Sequence, residues 1–503
     1  MLKKGAATVK TKMHYCLLLA VPCILTILLS ACGSEAPSET SHDSDNPRTL
    51  TIAMMSYDHL IRYHFINQVI GDLVQAKAEV GTELTSELTT YTRDEREGFM
   101  QRFQVSMMAG QGYDIFVPDG QSITALARLG LLTDIYTLID NDPYVSRDDF
   151  FTNVLNAYEY DGGLYVFPLS FEFEYVGINA RLPQSFIDRF AQLSTVTTMD
   201  LVEIYNDLIK EYPEDFGYMQ FGFVCSVSPM WCERGVNTHL AAEIWGKLDT
   251  RANVASLLEP SFVNFLDGFS SLLAAVETNV WGRGHVVGMP SSPGSRSRFM
   301  DIWADNAVFH TFCSFSSPMY AMFELNAPYF VYFTPLADSS NRLISINDSF
   351  GSSINFSVTS QACGDLAWAF INQALDTQML SSISYGAFWH ELSITTPIRR
   401  ADFRPRTESI LEHTINNNLS FSGEYHTQAR EALVNILTPE GQQRQIDTVI
   451  ARLEIYNSMP IAPISFLPAY LFEDIVDDLL FGLITAHDAA QRLQNRLSLW
   501  LIE

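Results

Sequence analysis

Positive charge is scarce in this chain: 31 Lys and Arg stand against 58 Asp and Glu, a formal net charge of −27. A surface of that sign repels a phosphate backbone, which argues against nucleic acid as a partner. It suits solubility and mutual repulsion between neighbours at a crowded surface. Common catalytic signatures are also missing, since no Gly-x-Ser-x-Gly, His-Glu-x-x-His or Walker-type glycine loop occurs. His59 and His64 are five apart, about 140° around a helix, and so form a poor metal pair; the expectation is surface histidines, with no metal and no cofactor. Gly110-Gln-Gly112 follows a helical stretch and precedes a strand-like one, the reverse of the order in a dinucleotide loop. Seven cysteines occur without a Cys-x-x-Cys. Three of them, Cys16, Cys23 and Cys32, belong to the N-terminal segment, and the other four, Cys225, Cys232, Cys313 and Cys363, allow three disulfide pairings. A body of this size builds cores without such staples, so thiols remain equally open. Beyond one run near the N-terminus, no stretch is long and apolar enough for a membrane helix.

That run has a definite plan. Lys3, Lys4, Lys10 and Lys12 open the chain, an apolar stretch follows from Tyr15 to Leu29, and it ends in Leu29-Ser30-Ala31-Cys32. About fifteen apolar residues interrupted by Pro22 fall short of the roughly 20 that span a bilayer. The ending resembles the lipobox of bacterial lipoproteins, which implies removal of residues 1–31, lipidation of Cys32 and an extracytoplasmic body anchored to the cell membrane through acyl chains such as palmitate. Residues 33–48, GSEAPSETSHDSDNPR, hold no large apolar side chain to offset the entropy of ordering, so 32–48 reads as lipidated cysteine and flexible tether. With the four leading lysines set aside, 27 Lys and Arg face 58 Asp and Glu, a net −31.

From Leu50 the pattern alternates short strands with amphipathic helices, which predicts an α/β body of two or three domains. Leu50–Met55 reads as a buried strand, Phe65–Ala78 as a helix, Leu84–Tyr91 as a second strand and Tyr113–Pro118 as a third. Between the last two, a helix over Asp94–Ala109 places Phe99, Phe103 and Met107 on one face, with Gly110 as its C′ residue. Pro260 opens a helix that carries Phe262, Phe265, Leu266 and Phe269 as core. A final helix starts near Thr485-Ala-His-Asp488, a weak capping box, and its Ala489, Leu493, Leu497 and Trp500 stripe should pack back on the body.

Several segments resemble, in order, the extracellular solute-binding proteins of carbohydrate ABC transporters. They include Ala109-Gly-Gln-Gly-Tyr-Asp-Ile-Phe116, Leu129-Gly-Leu-Leu-Thr-Asp-Ile135 and Gly162-Gly-Leu-Tyr-Val-Phe-Pro168 followed by Val176-Gly-Ile-Asn179. The likeness continues through Leu258–Leu266, Leu366-Ala-Trp-Ala-Phe370, Thr396-Pro-Ile-Arg399 and the closing Ala489-Ala-Gln-Arg-Leu. Tyr113 stands where the family has proline, and Gly177-Ile178 where it has an aromatic residue. The resemblance implies a two-lobed, type II periplasmic-binding-protein-like fold with the ligand cleft between lobes joined by crossing hinge strands. It assigns roughly 49–170 plus 336–395 to the first lobe and 175–330 plus 400–503 to the second, with crossings near Phe171, Tyr332 and Pro397. It further implies a monomer that is not an enzyme, binds a carbohydrate and delivers it to ABC permease subunits.

Candidate ligand-binding residues follow from position and type. Glu172 lies seven residues before Asn179, the spacing at which the family places a ligand-contacting glutamate; the bland reading is a solvated hinge residue. Asp119, Tyr57 and Asp58 follow strands at their C-terminal ends, where open α/β sheets put ligand loops; turn opening and helix capping are the rival roles of the two aspartates. Trp231, Phe171, Trp303 and Trp389 sit in polar or proline-punctuated stretches and are candidates for stacking on sugar faces, with core packing as the alternative for each. Three rival readings are a glycan-active enzyme using Glu172 and Glu174, an anionic-ligand site at Arg283, Arg296 and Arg298, and a peptide-binding or adhesive lipoprotein.

Overall fold

The computed structural model describes residues 48–55, 60–92, 95–118, 123–171, 173, 175–217, 240–249, 252–277, 308–312, 330–344, 354–384, 396–409, 439–464, 467 and 471–502. In chain order these form β1 (Arg48–Met55), α1 (Leu60–Glu79), β2 (Leu84–Tyr91), α2 (Arg96–Met108), β3 (Ile115–Val117), α3 (Ile123–Arg128), α4 (Ile135–Asn141), α5 (Thr152–Ala157) and the short strands β4 (Glu159–Tyr160), β5 (Gly163–Leu164), β6 (Phe167–Pro168) and β7 (Ser170–Phe171). There follow β8 (Tyr175–Asn179), α6 (Gln184–Ala191), β9 (Val196–Thr197), α7 (Thr198–Glu211), β10 (Leu248–Asp249), β11 (Val254–Ala255), α8 (Pro260–Glu277), β12 (Phe309–Phe312) and β13 (Phe330–Ala337). The chain closes with β14 (Asn355–Val358), α9 (Gly364–Ser384), β15 (Thr396–Pro397), α10 (Pro439–Asn457), α11 (Glu473–Leu480) and α12 (Ala486–Ile502). Among the described residues no helix is long and apolar enough to cross a membrane.

The fold is α/β, built on two sheets. One has the order β2-β1-β3-β14-β6 and the other β12-β8-β13-β9, with a two-stranded ladder of β7 and β15 outside both. In the first sheet β1 and β3 run parallel, Ala53 opposite Phe116, and both read as apolar runs because helices cover the sheet. Asp114 fastens this pair: its Oδ2 accepts the Thr51 N–H at 2.8 Å and the Thr51 hydroxyl at 2.7 Å. The segment ahead of it holds a glycine for room. A β-carbon at Gly112 would lie 1.9 Å from Met107 Sδ, and the Gly112 N–H donates to Gln361 Oε1 at 2.8 Å. The second sheet is centred on β8, antiparallel to β12 and β13, while β9 joins β13 in parallel only at Leu336 and Ala337. β13 therefore stays in the second sheet through Ala337, and Tyr332 lies inside that sheet.

Local sequence accounts for several helix limits. Phe99, Phe103 and Met107 are buried along one face of α2, and the Phe99 ring stacks on Tyr91 at 3.9 Å. The helix stops where Gly110, at φ +75°, sends its N–H back to Met107 while Gln111 N–H returns to Ser106. Asp134 caps α4, accepting from Tyr136 N at 3.0 Å, and the same Oδ1 takes Leu164 N at 2.9 Å. Two of the resembling segments are thereby joined by one carboxylate. At α12 the capping box is reciprocal: Asp488 Oδ2 accepts from Thr485 N and its hydroxyl, and Asp488 N–H donates to Thr485 Oγ1. Ala489, Leu493 and Leu497 are buried, α12 packs on α8 and α11, and Trp500 meets Trp245 at 6.4 Å.

Two apolar clusters result. The larger holds the first sheet together with the faces of α8, α11 and α12, and the smaller lies between the second sheet and helices α6 and α7. Beside the smaller one sits a buried acid, Glu243, 4% exposed, whose two oxygens accept the Ser339 N–H and hydroxyl at 2.7 Å each. Burial raises its pKa, against the opposing pull of those Ser339 bonds. An acid raised in the folded state lends stability that is complete below its unfolded pKa and is lost as pH rises through the folded value. Glu243→Gln keeps one acceptor oxygen for Ser339 and turns the second bond round, its amide N–H donating to the Ser339 hydroxyl, without the charge. Urea titrations are expected to find that variant more stable than wild type at pH 8, with the gap closing toward pH 4; an equal gap at both pH values contradicts the burial argument.

Candidate functional site

The strand order of the first sheet brings four chain ends to one edge. β1 and β3 are parallel, so Met55 and Val117 end side by side. β14 is antiparallel to β3 and to β6, so it begins at that edge with Asn355, and β6 ends there with Pro168, opposite Asn355. Neighbouring strands lie about 4.8 Å apart, so the three gaps from β1 to β6 span roughly 14 Å. The hydrogen bond from Leu169 N to Ile354 O, at 3.0 Å, extends the ladder one step. The chain then enters β7, which pairs with β15 through Phe171 opposite Thr396, and reaches β8 at Tyr175.

Each sequence candidate can be set against this edge. Tyr57 and Asp58 follow the end of β1, Asp119 follows Pro118, and Glu172 follows Phe171; all four lie outside the described residues, but β1 and β3 end as neighbours, and β6, which leads through β7 to position 172, ends at the same edge beyond β14. Trp231, Trp303, Trp389, Glu174 and Cys32 also lie outside the described residues, as do Arg283, Arg296 and Arg298 and the cysteines 225, 232 and 313. Cys363 is a half-buried thiol ahead of α9. His59 lies outside the described residues and His64 is exposed on α1.

Phe171 is the stacking candidate whose side chain is seen, and it packs in the core. It is 1% exposed, with its ring edge-on to Phe151 at 5.3 Å and to Phe173 at 5.4 Å. Phe151 in turn meets Phe403, and the Arg400 guanidinium lies 5.3 Å from the Phe151 ring. No sugar face reaches a ring enclosed in this way, and the reading of Phe171 as a stacking residue is corrected to a packing role. Its sequence setting was polar, but its ring neighbours are Phe151, which precedes α5, and Phe173.

The ground beneath the edge is polar. Ser170, Asn355 and Ser357 are buried, and the hydroxyls of Ser170 and Ser357 have no hydrogen-bond partner among the described residues. On the helix leaving β15, Arg406 is buried, and burial pulls its guanidinium down to about 10 against the charge of Asp402. Asn179, which ends β8, is occupied structurally: its Oδ1 accepts Arg181 N at 2.9 Å. Among the described residues no group of three acidic, histidine or cysteine side chains is placed to hold a metal ion. Tyr332, which the resemblance gives only as a crossing point, is half-exposed on β13.

No family model matches the chain. No curated protein matches it either. Solved structures do. An ABC substrate-binding protein from Listeria monocytogenes in complex with cycloalternan is 12% identical with a TM-score of 0.48, covering 90% of this chain and 98% of that one. A putative oligosaccharide periplasmic-binding protein from a Synechococcus species is 14% identical at 0.49, covering 90% and 99%. The cyclic alpha-maltosyl-1,6-maltose binding protein from Arthrobacter globiformis is 12% identical at 0.49, covering 91% and 99%. The α/β character of this chain stands on its own two sheets.

Proposed function

We propose that this chain is the lipid-anchored, extracytoplasmic substrate-binding protein of an ABC importer, which captures a carbohydrate between two closing lobes and passes it unchanged to the permease. The observation that carries this reading is the shared edge where β1, β3 and β6 end and β14 begins. Positions 57, 58 and 119 follow that edge within three residues, and position 172 follows the β7 ladder directly. The second sheet begins at Tyr175, so the same stretch of chain links both halves of a cleft. The first lobe comprises 49–170 and the β14–α9 region, and the second 175–337 with 400–503; the protein works as a monomer. Asp119 and Glu172 accept sugar hydroxyls, with Tyr57 and Asp58 as further polar contacts, while Trp231 of the second lobe, with Trp303 and Trp389, offers ring faces.

Thermal-shift screening against a glycan panel, with chromatography of the incubated sugars, tests the reading. A ligand present at 100 times its Kd adds about 2.7 kcal/mol of stability. Charge-assisted bonds from a water-excluded carboxylate contribute about 1.5–3 kcal/mol, so Asp119→Asn and Glu172→Gln are each expected to weaken binding roughly 10- to 150-fold with little change in ligand-free melting. Cleaved products would move the protein to the enzymes, and unchanged affinity in both variants would remove these two residues from the site. The anchoring is separable: intact-mass analysis of membrane-extracted protein is expected to find a chain beginning at an acylated Cys32, and an unmodified cysteine there contradicts it.

A further inference from the structure

Four non-glycine residues among those described have positive φ, and three of them, Asp161, Asn253 and Asn341, are the aspartate and asparagine types that tolerate the left-handed region. The fourth is Tyr332, at φ +55°, inside strand β13. Pairing there runs Val331 opposite Ile178 and then Thr334 opposite Val176, so Tyr332 and Phe333 together face the single residue Gly177. This is a β-bulge whose left-handed position is ordinarily glycine's, because an L side chain in that conformation is strained. Packing does not repay the strain: Tyr332 is 50% exposed, and its hydroxyl bonds no described group. The bond tying the bulge together, Thr334 Oγ1 to Tyr332 O at 3.1 Å, uses only the backbone carbonyl of Tyr332. Any residue would serve that bond, yet an aromatic one is present. Across the bulge Gly177 contributes no side chain from β8.

We propose that Tyr332 is a carbohydrate-stacking residue of the second sheet, turned outward by the bulge opposite Gly177 to meet the C–H face of a sugar ring. The inference rests on the carbohydrate-binding reading above and extends it. Pro335 pairs with Tyr175 at the start of β8, and Tyr332 lies three residues further along β13, roughly 10 Å at strand rise. That span exceeds one sugar ring, so a ligand reaching from the start of β8 to Tyr332 is an oligosaccharide. Strain kept at an exposed aromatic is the pattern expected of a residue whose ring binds something.

Glycine adopts positive φ without penalty, so Tyr332→Gly separates strain from function. The mature chain and its Tyr332→Gly and Tyr332→Phe variants would be titrated calorimetrically with maltotriose, cellotriose and xylotriose and with the matching monosaccharides, alongside ligand-free melting. The glycine variant is expected to melt at or above wild type while losing about tenfold or more in trisaccharide affinity, and phenylalanine to stay within about threefold of wild type. Monosaccharide affinity is expected to be unchanged in both. A glycine variant that binds trisaccharide as tightly as wild type, or melts well below it, overturns the assignment of Tyr332 alone. A wild-type chain that binds none of the glycans overturns the carbohydrate reading and this inference with it.

Discussion

Asp338→Ala is expected to lower the unfolding free energy by about 3–5 kcal/mol, the range for removing one partner of a buried ion pair. Asp338 is 1% exposed and is acceptor for an entire turn. Its Oδ2 accepts Arg342 Nε at 2.8 Å and Nη2 at 2.6 Å, while Oδ1 accepts the backbone N–H groups of Ser340 at 3.0 Å and Arg342 at 2.8 Å. The Arg342 side chain is 29% exposed, so water recovers part of the guanidinium's loss, but the two backbone donors belong to a turn already holding Asn341 at φ +61°. The turn also bears on the path of the chain. Directly after it, Leu343 donates to Pro460 O and accepts from Ala462 N, each at 2.8 Å, which ties the exit of β13 to the segment following α10. Asp338→Asn keeps one acceptor oxygen for the backbone and loses the charge, so its cost is expected to fall between wild type and alanine. Urea unfolding at pH 7 measures all three proteins; an alanine variant within about 1 kcal/mol of wild type would show that the turn is held by other contacts.

Phe171→Ala is expected to cost about 3–5 kcal/mol without any ligand present, as truncation of an enclosed phenylalanine does. The ring contacts Phe151 and Phe173, and Phe151 contacts Phe403, so the cavity left behind would be lined by aromatic rings that cannot collapse without moving β7 against β15. The β7–β15 ladder is the route by which the chain passes from the first sheet toward the second, and loosening it should show in stability. Phe171→Leu retains most of the apolar volume and is expected to recover more than half of the loss. An alanine variant that melts like wild type but binds ligand weakly would restore Phe171 to the site and refute its packing role.

Much of the fold was legible because the signals are short-range. The apolar runs of β1 and β3, the Phe99, Phe103 and Met107 stripe of α2 with Gly110 beyond it, and the Thr485 and Asp488 box at α12 all appear as expected. Each depends on residues within two or three turns of one another, where period and capping chemistry act alone. The candidate site was legible in part for the same reason. Strand-end position selected Asp119, Tyr57 and Asp58 one strand at a time.

What sequence could not decide was which residues meet. Phe171 sits among polar neighbours in the chain, yet it is enclosed by Phe151 and Phe173 and backed by Phe403, because burial follows from which elements pack together and not from local composition. Tyr332 lies in an apolar strand whose pattern contains no sign of a bulge; that bulge exists only in the register between β13 and β8. Glu243 and Asp338 were two acids among many until their burial, and Ser339 and Arg342 beside them, set them apart. The amino-acid sequence alone determined the elements, their caps and the α/β class, since backbone propensity and apolar period are local properties. Only the tertiary structure decided that the ends of β1, β3 and β6 share an edge with the start of β14, because the order β2-β1-β3-β14-β6 depends on a strand that enters from the far half of the chain and is selected by packing against β3 and β6.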